Sequence, residues 1–144
     1  MNELNFQKAL IDAAKKEGGY GFKMSNRHLA GIPDLLIKLP EFDTALIECK
    51  KIKRVKFSHH ESIPNNITKL QEIVLKRFIN AGGAAGVVTL IEQGNLQWIM
   101  SSPNIGDSRF NNTNSGVMTR VKGQLWPIKE IMKALTLRSR WKEK

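Results

Sequence analysis

Asp34, Glu48 and Lys50 are the residues whose types and spacing suit chemistry on a phosphodiester. Asp34 opens the apolar run Leu35 to Leu39, and Glu48 and Lys50 close a second run that begins at Ala45. Pro40 to Asp43 supplies a turn between them, so the two runs predict a β-hairpin. Side chains alternate along a strand, which sends Glu48 and Lys50 to one face and Ile47 and Cys49 to the other. Pairing of the strands lets Asp34 join the Glu48 and Lys50 face. Two carboxylates held together repel unless a cation lies between them, and hard oxygen ligands suit Mg²⁺. A lysine beside such a cation can position the water that attacks phosphorus.

The same residues resemble a family. Pro33-Asp34 followed by Glu48-Cys49-Lys50, the one acid-x-Lys triplet in the chain, is similar to the motif of the PD-(D/E)XK nucleases. The fuller string resembles the VRR-NUC branch, with Holliday-junction resolvases related to it. That string is Glu3-x-x-x-Gln7, Gly31-Ile32-Pro33-Asp34, Glu48-x-Lys50 and a later Gln71, and it spans Glu3 to about Ile91. The resemblance implies an α/β fold, with a restriction-endonuclease-like mixed central sheet flanked by helices. It implies that Asp34, Glu48 and the backbone carbonyl of Cys49 hold Mg²⁺, with Mn²⁺ able to substitute, and that Lys50 orients the attacking water. Glu3 has two readings: a carboxylate that reaches the water or a second cation, or an acid favourable to a helix dipole. Gln71 likewise reads as a helix cap, as a glutamine beside the active site, or as both. By family analogy the substrate is a four-way (Holliday) or other branched DNA junction, cut by a homodimer to leave 3′-OH and 5′-phosphate ends. Related activities on flaps, duplex or single-stranded DNA stay open, as does a non-catalytic basic DNA-binding protein.

Composition supports a polyanionic partner. The chain has 144 residues, a formal net charge of +10 and a pI near 10.0. Lys50, Lys51, Lys53, Arg54 and Lys56 form a run free of acids, and a second basic cluster extends from Arg120 to Lys144. Lys51, Lys53, Arg54 and Lys56, with Arg27 and His28 just before the motif, are the candidate DNA contacts. His59-His60 lacks the cysteines or acids that would complete a metal site. Cys49 is the only cysteine, which excludes an intrachain disulfide. No run approaches the roughly 18 apolar residues of a membrane span, and no signal peptide is evident, so a cytoplasmic protein is expected.

The elements that must position these residues follow from pattern. Residues 2 to 17 predict an amphipathic helix on Leu4, Ala9, Leu10, Ala13 and Ala14, capped by Asn2 and stopped at Gly18-Gly19. Tyr20 to Met24 suits a short strand. Lys51 to Ile67 reads as a long loop. Thr68-Lys69-Leu70-Gln71 has the form of a capping box for a helix running to Ala81, its buried stripe being Leu70, Ile73, Val74, Arg77 and Phe78. Strands are predicted at Ala85 to Ile91 and Leu96 to Met100, a loop at Ser101 to Ser115, an edge strand at Gly116 to Val121 and a last helix at Pro127 to Leu137. Trp126 and Trp141 are assigned to packing. A nuclease domain at 1–125 is expected, with residues 126–144 forming a C-terminal helix and basic tail packed on it.

Overall fold

The computed structural model describes residues 1–24, 30–58, 61–106, 108–110 and 116–142, the side chains of Phe110 and of residues 137–142 excepted. Its elements in chain order are α1 (Glu3–Lys16), β1 (Tyr20–Lys23), β2 (Leu35–Lys38), β3 (Ala45–Lys53), β4 (Ile63–Pro64), α2 (Lys69–Asn80), β5 (Ala84–Gln93), β6 (Leu96–Ser102), β7 (Arg109–Phe110), β8 (Val117–Arg120) and α3 (Ile128–Lys142). A six-stranded mixed sheet of order β1-β2-β3-β5-β6-β8 forms the centre, and β4 pairs with β7 in a small separate sheet. Every neighbouring pair in the large sheet is antiparallel except β3 with β5, which α2 connects by crossing over one face.

The two faces are covered differently. Phe6, Leu10 and Ala14 of α1 and Ile128, Ile131, Met132 and Leu135 of α3 pack on Ile37, Ile47, Cys49, Val88 and Leu90. On the opposite face Leu75 of α2, with Phe78 and Ile79, covers Leu46, Ala85 and Leu36. Further along that face Ile63 of β4 joins Val87, Ile91 and Met100. β5, at the centre, is buried along Ala84 to Ile91, as expected for a strand covered on both sides. This is the α/β architecture with a mixed central sheet flanked by helices that the sequence implies, and all three predicted helices are present. No helix among the described residues is long and apolar enough to cross a membrane.

Four local expectations are corrected. β3 does not stop near Lys50 but continues to Lys53, because its register with β5 extends to Lys53↔Glu92. β4 and β7 then structure parts of the segments read as loops. In α1 the buried residues are Phe6, Gln7, Leu10 and Ala14, whereas Leu4 is 59% exposed. In α2 the fully buried residue is Leu75, while Leu70 is 44% exposed and Arg77 lies on the surface. The rotation of α2 has a consequence for the site: Gln71 stands one turn before Leu75 and shares its inward face.

Gly31 shows why a glycine precedes the motif. Its φ of +81° lies in the left-handed region, and a Cβ there would come within 2.6 Å of the Leu70 side chain. Both backbone and space require glycine at this point. The close approach seats the chain entering β2 against the first turn of α2.

Candidate active site

The β2–β3 pairing places the acids. Leu35 lies opposite Ile47 and Leu36 opposite Leu46, so one further step sets Asp34 across from Glu48. The backbone carbonyl of Asp34 accepts from Met24 N–H at 2.8 Å, which turns the next peptide groups toward β3. Pro33 is the residue that follows in the register opposite Cys49, and it has no N–H to donate. The Cys49 N–H donates to Asp34 Oδ2 at 2.9 Å. Lacking an N–H, Pro33 cannot occupy the Cys49 carbonyl, and separately the carboxylate of Asp34 is the acceptor for the Cys49 N–H. Proline before the aspartate thus has a physical role that the motif alone does not reveal.

Glu48 is 3% exposed and held from two sides. Gln71 Nε2 donates to Glu48 Oε2 at 2.9 Å, and Lys50 Nζ lies 3.4 Å from the same oxygen. Glu48 Oε1 is buried without a hydrogen-bond partner. Burial pushes the Glu48 carboxyl up to about 7; the neighbouring Asp34 carboxylate pushes the same way, and Lys50 pulls against both. A buried carboxyl with an unpartnered oxygen next to a second carboxylate is a place that favours added positive charge. Thr89, opposite Lys50 in the β3–β5 register and fully buried, also has a hydroxyl without a partner.

Gln71 does two jobs at once. Its Oε1 accepts from Thr68 N–H at 2.9 Å while Thr68 Oγ1 accepts from Gln71 N–H at 3.2 Å, which completes the capping box. The amide is thereby fixed with its Nε2 free to reach Glu48, so one side chain both caps α2 and contacts Glu48. The two roles separate by mutation. Thr68→Ala removes one side of the cap and is expected to cost about 1 kcal/mol in thermal unfolding, with little effect at Glu48. Gln71→Leu should cost as much and also remove the Glu48 donor, which adds about 1 kcal/mol. Equal melting of the two variants would show that the Gln71–Glu48 bond does not matter.

Glu3 is not drawn into the same cluster. It is exposed in the first turn of α1, and its charge acts on the Cys49 thiol, which packs among the α1 and α3 side chains. Burial, with Asp34, Glu48 and Glu3 adding to it, pushes that thiol well up. Gln7 is 5% exposed, with Oε1 lacking a partner. In the basic run, strand alternation splits neighbours: Lys50 faces the acids, and Lys51 turns away to pair with Glu92 at 3.2 Å. Arg54 Nη1 donates to Lys53 O, and Lys53 and Lys56 are exposed. Arg27, His28, His59 and His60 lie outside the described residues. Trp126 packs on the main core beside Phe6, with ring centroids 5.7 Å apart.

Asp34 and Glu48, with the Cys49 carbonyl, are the oxygen donors at hand for a hard divalent cation; no cluster of three His, Cys, Asp or Glu side chains occurs among the described residues. The donor chemistry fits Mg²⁺, which binds through one or two carboxylates and keeps several waters.

No protein-family model and no curated protein matches the chain. Among solved structures it is similar to Hjc, a Holliday junction resolvase from the archaeal hyperthermophile Archaeoglobus fulgidus, with a TM-score of 0.46 and 12% identity over 96% of this chain and 98% of that one. A likeness at that level carries nothing about chemistry, and the architecture stands on the strand order and register alone.

Proposed function

We propose that this protein is a Mg²⁺-dependent nuclease that hydrolyses phosphodiester bonds in DNA, with Asp34, Glu48 and Lys50 at its centre. The observation that carries this reading is the convergence of the three on one sheet face, with a Glu48 oxygen buried and unpartnered. Asp34, Glu48 and the Cys49 carbonyl would hold the cation, and Mn²⁺ would substitute for it. When bound, the cation supplies charge stabilisation at the phosphate and eases deprotonation of water. The chain's own residues supply the rest. The Gln71 amide fixes the Glu48 carboxylate, the Cys49 N–H fixes that of Asp34, and Lys50 presents its ammonium where it can orient the nucleophile. All are mounted on paired strands or a helix first turn, which limits their freedom.

The substrate class follows from charge and from the elements present. A net charge of +10 suits a phosphate backbone. No base-reading helix-turn-helix is present among the described elements, so recognition by DNA shape is favoured over sequence. A branched junction cut by a homodimer is the preferred substrate. A panel of four-way junction, flap, linear duplex and single strand, together with sedimentation of the active species, tests this part. Preferential paired cuts on the junction by a dimer are expected; equal cutting of linear duplex, or a monomer at working concentration, contradicts it.

The basic run gives a graded expectation. Lys53→Gln with Lys56→Gln should weaken DNA binding and lower the slope of log K against log salt by roughly 0.9 for each phosphate no longer neutralised. Lys51→Gln should do much less, because Lys51 is engaged with Glu92. Anisotropy titrations over a salt series check both. An equal effect of Lys51→Gln would show that its ion pair opens on DNA.

A further inference from the structure

The edge strand β1 carries two aromatic rings that the core does not use. Tyr20 and Phe22 are 56% and 51% exposed. Gly21 between them faces α1, since a Cβ there would come within 3.0 Å of Ile11 Cα. The rings therefore stand on the other face of the sheet, the one that carries Asp34, Glu48 and Lys50. Phe22 lies opposite Leu36 and Tyr20 opposite Lys38, so Asp34, two residues before Leu36, is the diagonal neighbour of Phe22. Diagonal neighbours across paired strands lie about 7–8 Å apart. The α2 helix covers Leu36 and Met24 but leaves the two rings open.

The size of this surface decides what can cover it. Half-open rings offer roughly 200 Å² together, against about 800 Å² that a stable protein partner covers on each side. A nucleobase needs only a ring face, and every base has one. Phe22 is the ring nearer the acids, Tyr20 stands two residues further along β1, and both belong to a chain of charge +10.

We propose that Tyr20 and Phe22 form a stacking platform for unpaired nucleotides beside the phosphate held at Asp34 and Glu48. The substrate is then DNA with unpaired nucleotides next to the cut, as at a branch point, gap or single-stranded arm, and not continuous duplex. This proposal rests on the nuclease reading for its geometry.

Binding measured without divalent cation tests it independently of catalysis. Fluorescence anisotropy would compare a single strand, a gapped duplex and a blunt duplex on wild type, Tyr20→Ala, Phe22→Ala and Phe22→Trp. Each alanine variant is expected to weaken binding of single strand and gapped duplex about tenfold, with blunt duplex unchanged and Phe22→Trp close to wild type. Unchanged affinities, or equal losses on all three DNAs, would overturn the platform. So would loss of a dimer in sedimentation of the alanine variants, which would assign the rings to a second copy of the chain. Cleavage of gapped DNA without a ring effect would overturn the platform alone. Ring-dependent binding without any cleavage would support it and overturn the nuclease reading.

Discussion

Asp34→Asn is expected to abolish DNA cleavage, by about a thousandfold or more, while the protein stays folded and still binds DNA. The Asp34 side chain has two separable functions. Its charge would hold the cation, and several kcal/mol of transition-state stabilisation depend on that charge. Its Oδ2 also satisfies the Cys49 N–H at 2.9 Å, in a stretch where Pro33 cannot complete the strand pairing. Asparagine keeps an acceptor for that N–H and removes only the charge. Asp34→Ala removes both, and an unsatisfied buried N–H costs about 1–3 kcal/mol. Single-turnover cleavage and thermal melts on both variants check the pair. Activity in Asp34→Asn would remove Asp34 from the chemistry; identical melting of the two would show that the Cys49 hydrogen bond contributes nothing.

Glu48→Gln should also be inactive, yet more stable than wild type above neutral pH when no divalent cation is present. Glu48 has its pKa raised from 4.5 to about 7, chiefly by burial and secondly by Asp34. A carboxyl whose folded-state pKa is raised binds its proton more tightly when folded. Its stabilising contribution is complete below about 4.5 and is lost as pH rises through about 7. That interval corresponds to about 3 kcal/mol, or roughly 10 °C in melting temperature for a chain of this size. Glutamine keeps the shape and an oxygen for the Gln71 amide but never ionises. Melts at pH 8 should therefore favour Glu48→Gln, and melts near pH 4.5 should converge. Added Mg²⁺ should narrow the gap at pH 8 by stabilising wild type alone. A wild type more stable than Glu48→Gln at pH 8 without cation would show that the carboxylate is not strained in the folded protein.

Much of the arrangement was legible in local sequence because it is locally encoded. Asn2 caps α1 by accepting from Asn5 N–H, and Thr68 with Gln71 forms the capping box, as their spacing implied. The β2–β3 hairpin placed Asp34, Glu48 and Lys50 together because a period of two leaves few alternatives. What escaped local reading depends on distant partners. The basic residues after Lys50 look like a loop, yet β3 runs through them because β5 pairs with it to Glu92. The rotation of α2 is set by the sheet it covers, so Leu75 is buried and Leu70 is not. Helical spacing alone admitted either stripe. Nothing in the sequence ties Glu3 to one side of the sheet, and its charge is felt at Cys49. The exposed rings of Tyr20 and Phe22 were invisible for a similar reason: an edge strand and a half-buried one share the same alternation.

This sheet face is expected to cut DNA. Labelled four-way junction and matched linear duplex, incubated with wild type and Asp34→Asn in Mg²⁺ or in EDTA, test it most directly. Cleavage that requires both Mg²⁺ and Asp34, and that leaves 5′-phosphate ends, is the predicted result. Binding of both DNAs with no cleavage under any condition would exclude a nuclease and leave a basic DNA-binding protein whose acid pair is structural.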